Sequence, residues 1–336
     1  LLDNPTCHSW WKLLENQDIM ELVIRDMHFF DIQNLRKTSS GIQKCVDIIK
    51  PDPHIFQYII RIHDASKIYA EVTLANGQKR TITDQRVKGK PDFVCTVAND
   101  FHEHLRHQKT RLEELRLEFY SLDWHKDVLE AKLMINRFTE SLQGFLKTMK
   151  TLKVGKLSIG SFRPHEFMQI LPFTQSETLE MFYTFMSGTW YEWNLEVNQI
   201  SQHWASAKEL IIKALPVSTP IQKISIDHFV KVDICLRTIS SQDVLFLKNL
   251  LLISSNFQKY KFAFRNSTID DDLHALIGEP YRNMYGVRRI WYFRIGSTND
   301  YMHIVLNTRD SDVRNGVPKN KSIVFSKVAK EDTPFF

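Results

Sequence analysis

His102, Glu103 and His104, with His107 one turn further on, are the side chains whose types and spacing come nearest to metal chemistry. On a helix His104 and His107 stand at i and i+3, close enough for two imidazoles to share a cation. That is half a site. No Cys or carboxylate motif elsewhere completes it, and a solvated helix face is the simpler account, so no metal is expected. His165-Glu166 lacks the second His of H-E-x-x-H. Asp270, Asp271 and Asp272 follow Thr268 at a helix start, where carboxylates complement the positive end of the helix dipole. Among 11 glycines there is neither a G-x-x-x-x-G-K-[ST] loop nor G-x-G-x-x-G, and G-x-S-x-G is missing; Gly160-Ser161 and Gly296-Ser297 read as turns. Cys7, Cys45, Cys95 and Cys235, separated by 38, 50 and 140 residues, fit neither paired C-x-x-C zinc ligands nor a secreted disulfide framework. They read as reduced intracellular thiols, and none carries an activating motif. No catalytic residue and no cofactor is therefore expected, and the chain does not read as an enzyme.

Aromatic side chains are the remaining chemical signal. Phe182, Tyr183, Phe185, Trp190, Tyr191 and Trp193 crowd into a dozen residues, with Met186 among them, in a stretch of weak helix or strand period. Trp and Tyr beside Met are what a protein-binding hot spot uses, which makes these six the candidate target-binding residues. A loop folded back with its rings buried is the plainer reading of the same residues.

The elements that must carry these residues are legible from period. Between 17 and 54 the pattern is helical. Ile19, Leu22, Val23 and Met27 recur at helical spacing, Asp31 is placed to cap a second helix with Ile32 and Leu35 on one side, and Ser39 or Ser40 a third. Ile42, Cys45, Val46 and Ile49 fall at i, i+3, i+4, i+7, and Pro51 and Pro53 end the run. Three short helices enclose too little core to stand alone, so the unit reads as an attachment module. From 55 to 83 the period changes to strand, with Asn76-Gly77 suited to a tight type I′ turn, and a small β-meander is expected.

From 84 to 336 helices alternate with short strands, read at Leu115–Leu117, Leu152–Ile159, Leu179–Phe182, Leu210–Ile212, Ile224–Ile226, Tyr260–Phe262, Trp291–Phe293 and Ile304–Leu306. Ser240 with Asp243 opens a capping-box start for Val244, Leu247 and Leu251. The fold class expected is α/β: the helical unit, the meander, and an irregular leucine-rich-repeat-like strand-helix domain closed by a C-terminal β-hairpin. The spacing between strands is too uneven for a standard repeat, which leaves an ordinary mixed α/β domain open. Arg288 to Ile295 and Tyr301 to Asn307 form the hairpin, and Ser322 to Lys327 is a third strand that can join it.

Composition agrees with a large folded core. The chain has 336 residues, 43% of them hydrophobic, and its 22 Gly plus Pro fall well below average usage, so loops are short. Lys plus Arg at 44 against Asp plus Glu at 39 is a nearly balanced surface, and the densest basic cluster, Val317 to Lys321, is short, so no nucleic-acid partner is expected. The greasiest stretch, Val244 to Ile253, is interrupted by Lys248 and far too short to span a membrane, so no membrane partner is expected. The chain opens on Leu1 without a secretory pattern; residues 1–14 read as the N-terminal segment of a truncated chain.

The segment from Asp18 through Ile55, DIMELVIRDMHFFDIQNLRK and then IQKCVDIIKPDPHI, resembles the F-box of the large nematode F-box family (F-box A type). Ser241 to Lys248 with Ser254 to Phe257, Trp204 to Leu210, Gly278 to Tyr281 and Trp291 to Phe293 resemble the FTH domain that accompanies it. The resemblance implies an F-box at 15–54 and an FTH-type substrate-binding domain at 84–336. It implies a non-catalytic adaptor of a Skp-cullin-F-box ubiquitin ligase, cytoplasmic or nuclear, that joins a Skp-type linker and cullin scaffold to a target protein. Carried over by position, Ile19, Leu22, Val23, Met27, Phe30, Ile32 and Leu35 are the linker-binding surface, and at least half of them also pack the three helices together. One feature departs from the pattern: Leu14 to Gln17 lacks the Pro that commonly precedes the first F-box helix. The alternative is a protein-binding or structural module whose degenerate F-box does not engage the ligase.

Overall fold

The computed structural model describes residues 16–64, 67–85, 92–119, 128–149, 151–161, 167–183, 204–269, 273–285, 287–296, 298–308 and 321–334. Three short helices open it: α1 (Gln17–Arg25), α2 (Phe29–Arg36) and α3 (Ser40–Ile49). The Asn16 side chain caps α1, accepting from the Asp18 amide at 3.0 Å, so a polar cap starts the helix. Asp31 is not the cap of α2. That helix begins one turn earlier, with His28 at the cap position, because Phe29 and Phe30 are drawn into the fold beyond and start the helical turn there. Ser39 caps α3, and Lys50 ends it at a φ of 51°.

The rest is built on one 13-stranded sheet. Its first strands, β1 (Ile55–Asp64), β2 (Lys67–Leu74) and β3 (Lys79–Gln85), are the expected meander. They are not a separate unit, since β1 also pairs in parallel with β4 (Leu112–Phe119). The turn between β2 and β3 is not type I′. Only Gly77 has positive φ (84°) and its amide bonds to Leu74 O, which makes a type I turn closed by a left-handed glycine.

From β1 the sheet grows in one direction through β4, β5 (Leu152–Ser161), β6 (Thr174–Tyr183), β7 (Glu209–Val217), β8 (Lys231–Ser240) and β9 (Lys259–Thr268), all parallel and all in sequence order. Crossovers of one hand then fall on one face. Helices α4 (Phe93–Leu105), α5 (Val128–Thr148) and α6 (Ser241–Ile253) lie in these crossovers, and their apolar residues share one core with the strands. Ser240 and Asp243 form the capping box of α6, each side chain accepting from the other residue's amide.

After α7 (Leu273–Ile277) the chain forms β10 (Arg282–Met284), β11 (Arg288–Arg294), β12 (Asp300–Asn307) and β13 (Lys321–Ala329), all antiparallel. The β11–β12 hairpin does not close directly onto the parallel strands. β13 inserts between β12 and β9, using one edge of each. Lys248, the charge inside the apolar run, has its ammonium 4.2 Å from the Phe293 ring and donates to Ile277 O, tying α6 to α7 and β11.

Two sequence expectations fail in the middle of the sheet. Ile224–Ile226 is no strand; Ile221–Lys223 is a 3₁₀ turn, and Ile224 and Ile226 are buried in the connection to β8. β8 itself takes the place in the sheet, with Val232, Ile234 and Leu236 buried. Among the described residues, no helix is long and apolar enough to cross a membrane.

Candidate functional site

The three helices enclose a small core of their own from Met20, Ile24, Ile32, Ile42, Cys45 and Val46. The seven linker-binding candidates divide around it. Ile32 is inside, Met27 and Leu35 pack half-buried against it, Ile19 is half-buried, and Phe30 leans on the main core instead. Leu22 is 60% exposed and Val23 37%, adjacent on the outer side of α1. Ile48 on α3 is 59% exposed, a third open apolar side chain the sequence reading did not single out. It lies off the i, i+3, i+4, i+7 stripe, which is the one signal that could have marked it.

The helical unit is fastened to the sheet by two kinds of contact. Phe29 is buried in the main core, its ring edge-on to His104 at 5.3 Å, and the Arg80 guanidinium lies over the Phe30 ring. Beside them Arg36 grips Asp47 with two bonds of 3.0 and 3.1 Å, Arg106 reaches Asp47 and Glu103 at 3.2 Å each, and Arg36 also meets Glu103 at 3.5 Å. Arg36 and Asp47 belong to the helical unit, and Glu103 and Arg106 to the end of α4, so four charges alternate across the junction. The connection after α3 is pinned as well: Asp52 accepts from the Thr110 amide, and the Gln108 side chain bonds both backbone groups of Ile55.

The histidines read as half a metal site are positioned here for other work. His104 Nδ1 is hydrogen-bonded to the Tyr58 hydroxyl at 3.1 Å, while His102 stacks on Phe145 of α5 at 4.8 Å. Burial, with Arg80 and Lys37 nearby, pushes the His104 imidazole down to about 4, so it is neutral at physiological pH. Burial also lowers His102 and His107. Among the described residues no group of three potential ligands comes together.

The face of the sheet opposite the shared core is polar. Alternation along β4, Glu114-Leu115-Arg116-Leu117-Glu118, sends the leucines into the core and the charges to this face. Parallel register then sets charges of successive strands side by side. Arg61 on β1 bonds Glu118 at 2.8 Å, and Arg116 bonds Glu114 at 2.7 Å and Glu118 at 3.4 Å. Glu180 on β6 accepts from Lys156 at 2.7 Å, Ser158 at 2.6 Å and Lys213 at 3.1 Å, and Glu209 on β7 from Lys231 at 2.8 Å. Burial alone would raise the Glu180 carboxyl, but these three donors outweigh it and hold it down at about 2. The cations remain open to water, Lys213 at 57% and Lys231 at 50%. Such a face can bind through charge and hydrogen bonds. It escaped the sequence reading because the charges of one strand meet those of the next only once register is fixed.

Of the six candidate target-binding aromatics, Phe182 and Tyr183 end β6, paired with Gly160 and Ser161 of β5. Phe185, Trp190, Tyr191 and Trp193 lie outside the described residues, as do His165-Glu166 and Asp270 to Asp272. Trp204, quoted for the resemblance, is fully buried with Phe229 edge-on at 5.9 Å.

No curated protein matches the chain. Residues 136–275 match the FTH domain, from within α5 through β9 into α7. It encloses Ser241 to Lys248 and Trp204 to Leu210 but not Gly278 to Tyr281 or Trp291 to Phe293. By that match residues 136–275 are similar to an FTH domain.

Proposed function

We propose that the protein is a non-catalytic adaptor of a Skp-cullin-F-box ubiquitin ligase. The helical unit at 15–54 acts as an F-box that engages a Skp-type linker, and the sheet domain holds a target protein. The adaptor works by proximity, raising the effective concentration of the target near a charged ubiquitin carrier. The observation that carries this reading is the exposed pair Leu22 and Val23 on a helical unit that already has its own core, so these side chains are not used up in folding. The FTH match supports it, as does the junction, which holds the helices in a fixed relation to the sheet. One-directional growth of the parallel strands is the feature a leucine-rich-repeat-like stack would have, and it would leave the polar face free for a partner. The adaptor would work in the cytoplasm or nucleus.

Co-purification with the Skp-type linker and cullin tests the proposal. Leu22→Asp with Val23→Asp should reduce linker association by about tenfold or more, with the melting transition unchanged. No association of the unmodified chain at micromolar protein would overturn the ligase reading. One observation favours a second reading, a binding module with a degenerate F-box: Asn16, not proline, caps α1, and five of the seven linker candidates are buried or half-buried. Target capture without linker binding would select it.

A further inference from the structure

We infer that the target docks on the outer hairpin of the sheet, β10 with β11, and that what docks is an extended protein segment carrying a carboxylate two residues from an apolar side chain. The inference deepens the adaptor reading and rests on it for the role of the sheet. It stands on three exposed large side chains, a strained turn and a strand edge that come together at one end of the molecule.

Among the described residues β10 is an end strand, paired with β11 on one side. Trp291 of β11 is buried in the core, so alternation turns Arg288, Ile290 and Tyr292 to the opposite face. Arg282 pairs with Ile290 and Met284 with Arg288, which puts Arg282 and Met284 on that face as well. The Tyr281 ring stands edge-on to Tyr292 at 5.7 Å. Tyr281, Arg282, Met284 and Tyr285 therefore line one edge of the sheet, with Arg288 beside Met284. Tyr281 is 54% exposed, Met284 39% and Tyr285 100%, and both arginines are exposed. Tyr, Met and Arg are the side chains that protein interfaces enrich.

Tyr285 is held at a φ of 53° in the turn that the Val287 amide closes on Met284 O at 3.0 Å. Left-handed backbone is unfavourable for a residue with a Cβ, and glycine suits such a position better. Lys50 and His54, the other non-glycine residues at positive φ among those described, lie at the end of α3 and just before β1, where the junction pins the chain. The Tyr285 ring is wholly in water, so no packing offsets its strain. A ring held out in this way suits contact with another molecule.

An extended peptide uses all of these features. Its backbone can pair with the outer edge of β10, and residues two apart on the added strand then fall beside Arg282 and Met284. A carboxylate meets the guanidinium, an apolar side chain meets the thioether, and Tyr285 covers the end. A second copy of this chain would instead bring two cationic edges together.

Methyl NMR on the full chain with labelled methionine tests the inference. The probe is a short Thr-rich peptide with one Glu flanked at i−2 and i+2 by Val; its controls carry Gln for Glu or Ser for Val, and a single-stranded RNA of equal length is a third. The Met284 methyl, assigned by its loss in Met284→Ala, should shift saturably with the Glu-Val peptide, while the buried Met20 and Met302 methyls stay still. Either peptide control should bind about fivefold more weakly or worse, and Arg282→Glu should weaken binding about tenfold. If that reversal lowers the melting temperature, Arg282→Gln should still weaken binding about threefold. Tyr285→Gly should weaken binding about fivefold yet leave the melting temperature unchanged or raised, because it removes strain. Phe56→Ser, at an exposed apolar residue on β1, should leave binding unchanged. No shift at Met284, an equal loss in Phe56→Ser, a Met284 shift on raising protein concentration alone, or tighter binding of the RNA with the same sensitivity to Arg282 would overturn the inference. Linker co-purification separates the two readings: peptide binding without linker association defeats only the F-box reading, and the reverse defeats only this one.

Discussion

His104 shows how a residue that reads as chemistry becomes a joint. Its spacing from His107 fits a cation, yet its imidazole is enclosed by Phe29 and Tyr58, and burial holds it neutral down to about pH 4. Protons therefore bind the unfolded chain first. The stability that depends on neutral His104 is complete above the unfolded value near 6.5 and is lost as pH falls from there toward 4, by up to about 3 kcal/mol. Melting temperature followed between those limits should fall with pH, and His104→Gln should flatten the slope; an unchanged slope would show that His102, His107 and His303, which shift the same way, carry it instead. Leu22 and Val23 are the converse case. Their helical spacing reads as a core stripe, but Met20 and Ile24 turn inward in their place. Period alone could not choose between them, because apolar residues occupy both sides of α1.

Among the elements, those with strong local signals were legible: the three helices, the meander, the capping box of α6, and the β11–β12 hairpin. Errors gathered where neighbours decide. β8 and Ile224–Ile226 are both short apolar alternations, and only pairing with β7 and β9 distinguishes the strand from the connection. Close packing of parallel strands also explains one glycine. A Cβ on Gly155 of β5 would lie 2.8 Å from the Glu113 backbone oxygen on β4, and backbone cannot yield as a side chain does. Gly155→Ala should cost about 1–3 kcal/mol, read as a lower urea midpoint. An unchanged midpoint would mean that β4 and β5 can separate there at no cost.

At the scale of the whole molecule, continuity of the sheet governs what can be cut away. A fragment of residues 84–336, which follows the boundary the sequence suggests, removes β1 to β3 and bares the edge and core side of β4, with Leu115, Leu117 and Phe119 left without Tyr58, Ile60 and Ile62. It should aggregate on expression, since a long apolar strand edge is a template for pairing. A fragment of residues 51–336 keeps the sheet whole and loses only the helices and Phe29. It should remain soluble with a cooperative melt at lower temperature, as gel filtration and circular dichroism would show. A soluble, folded 84–336 would mean that β1–β3 form an independent unit.

The class of the molecule is written in the chain itself: a small helical unit ahead of a large α/β domain, with few turn residues and no nucleotide loop, because local period, caps and glycine placement are properties of neighbours in the chain. The FTH resemblance was also legible. Folding in three dimensions adds that the strands grow in one direction, that β13 slips between β12 and β9, and that charges spread over more than 200 residues of sequence share one face. The reason is physical. A strand's alternation specifies which side chains point together, but register between strands sets which charges meet, and register is fixed by the buried side chains of a core that exists only after folding.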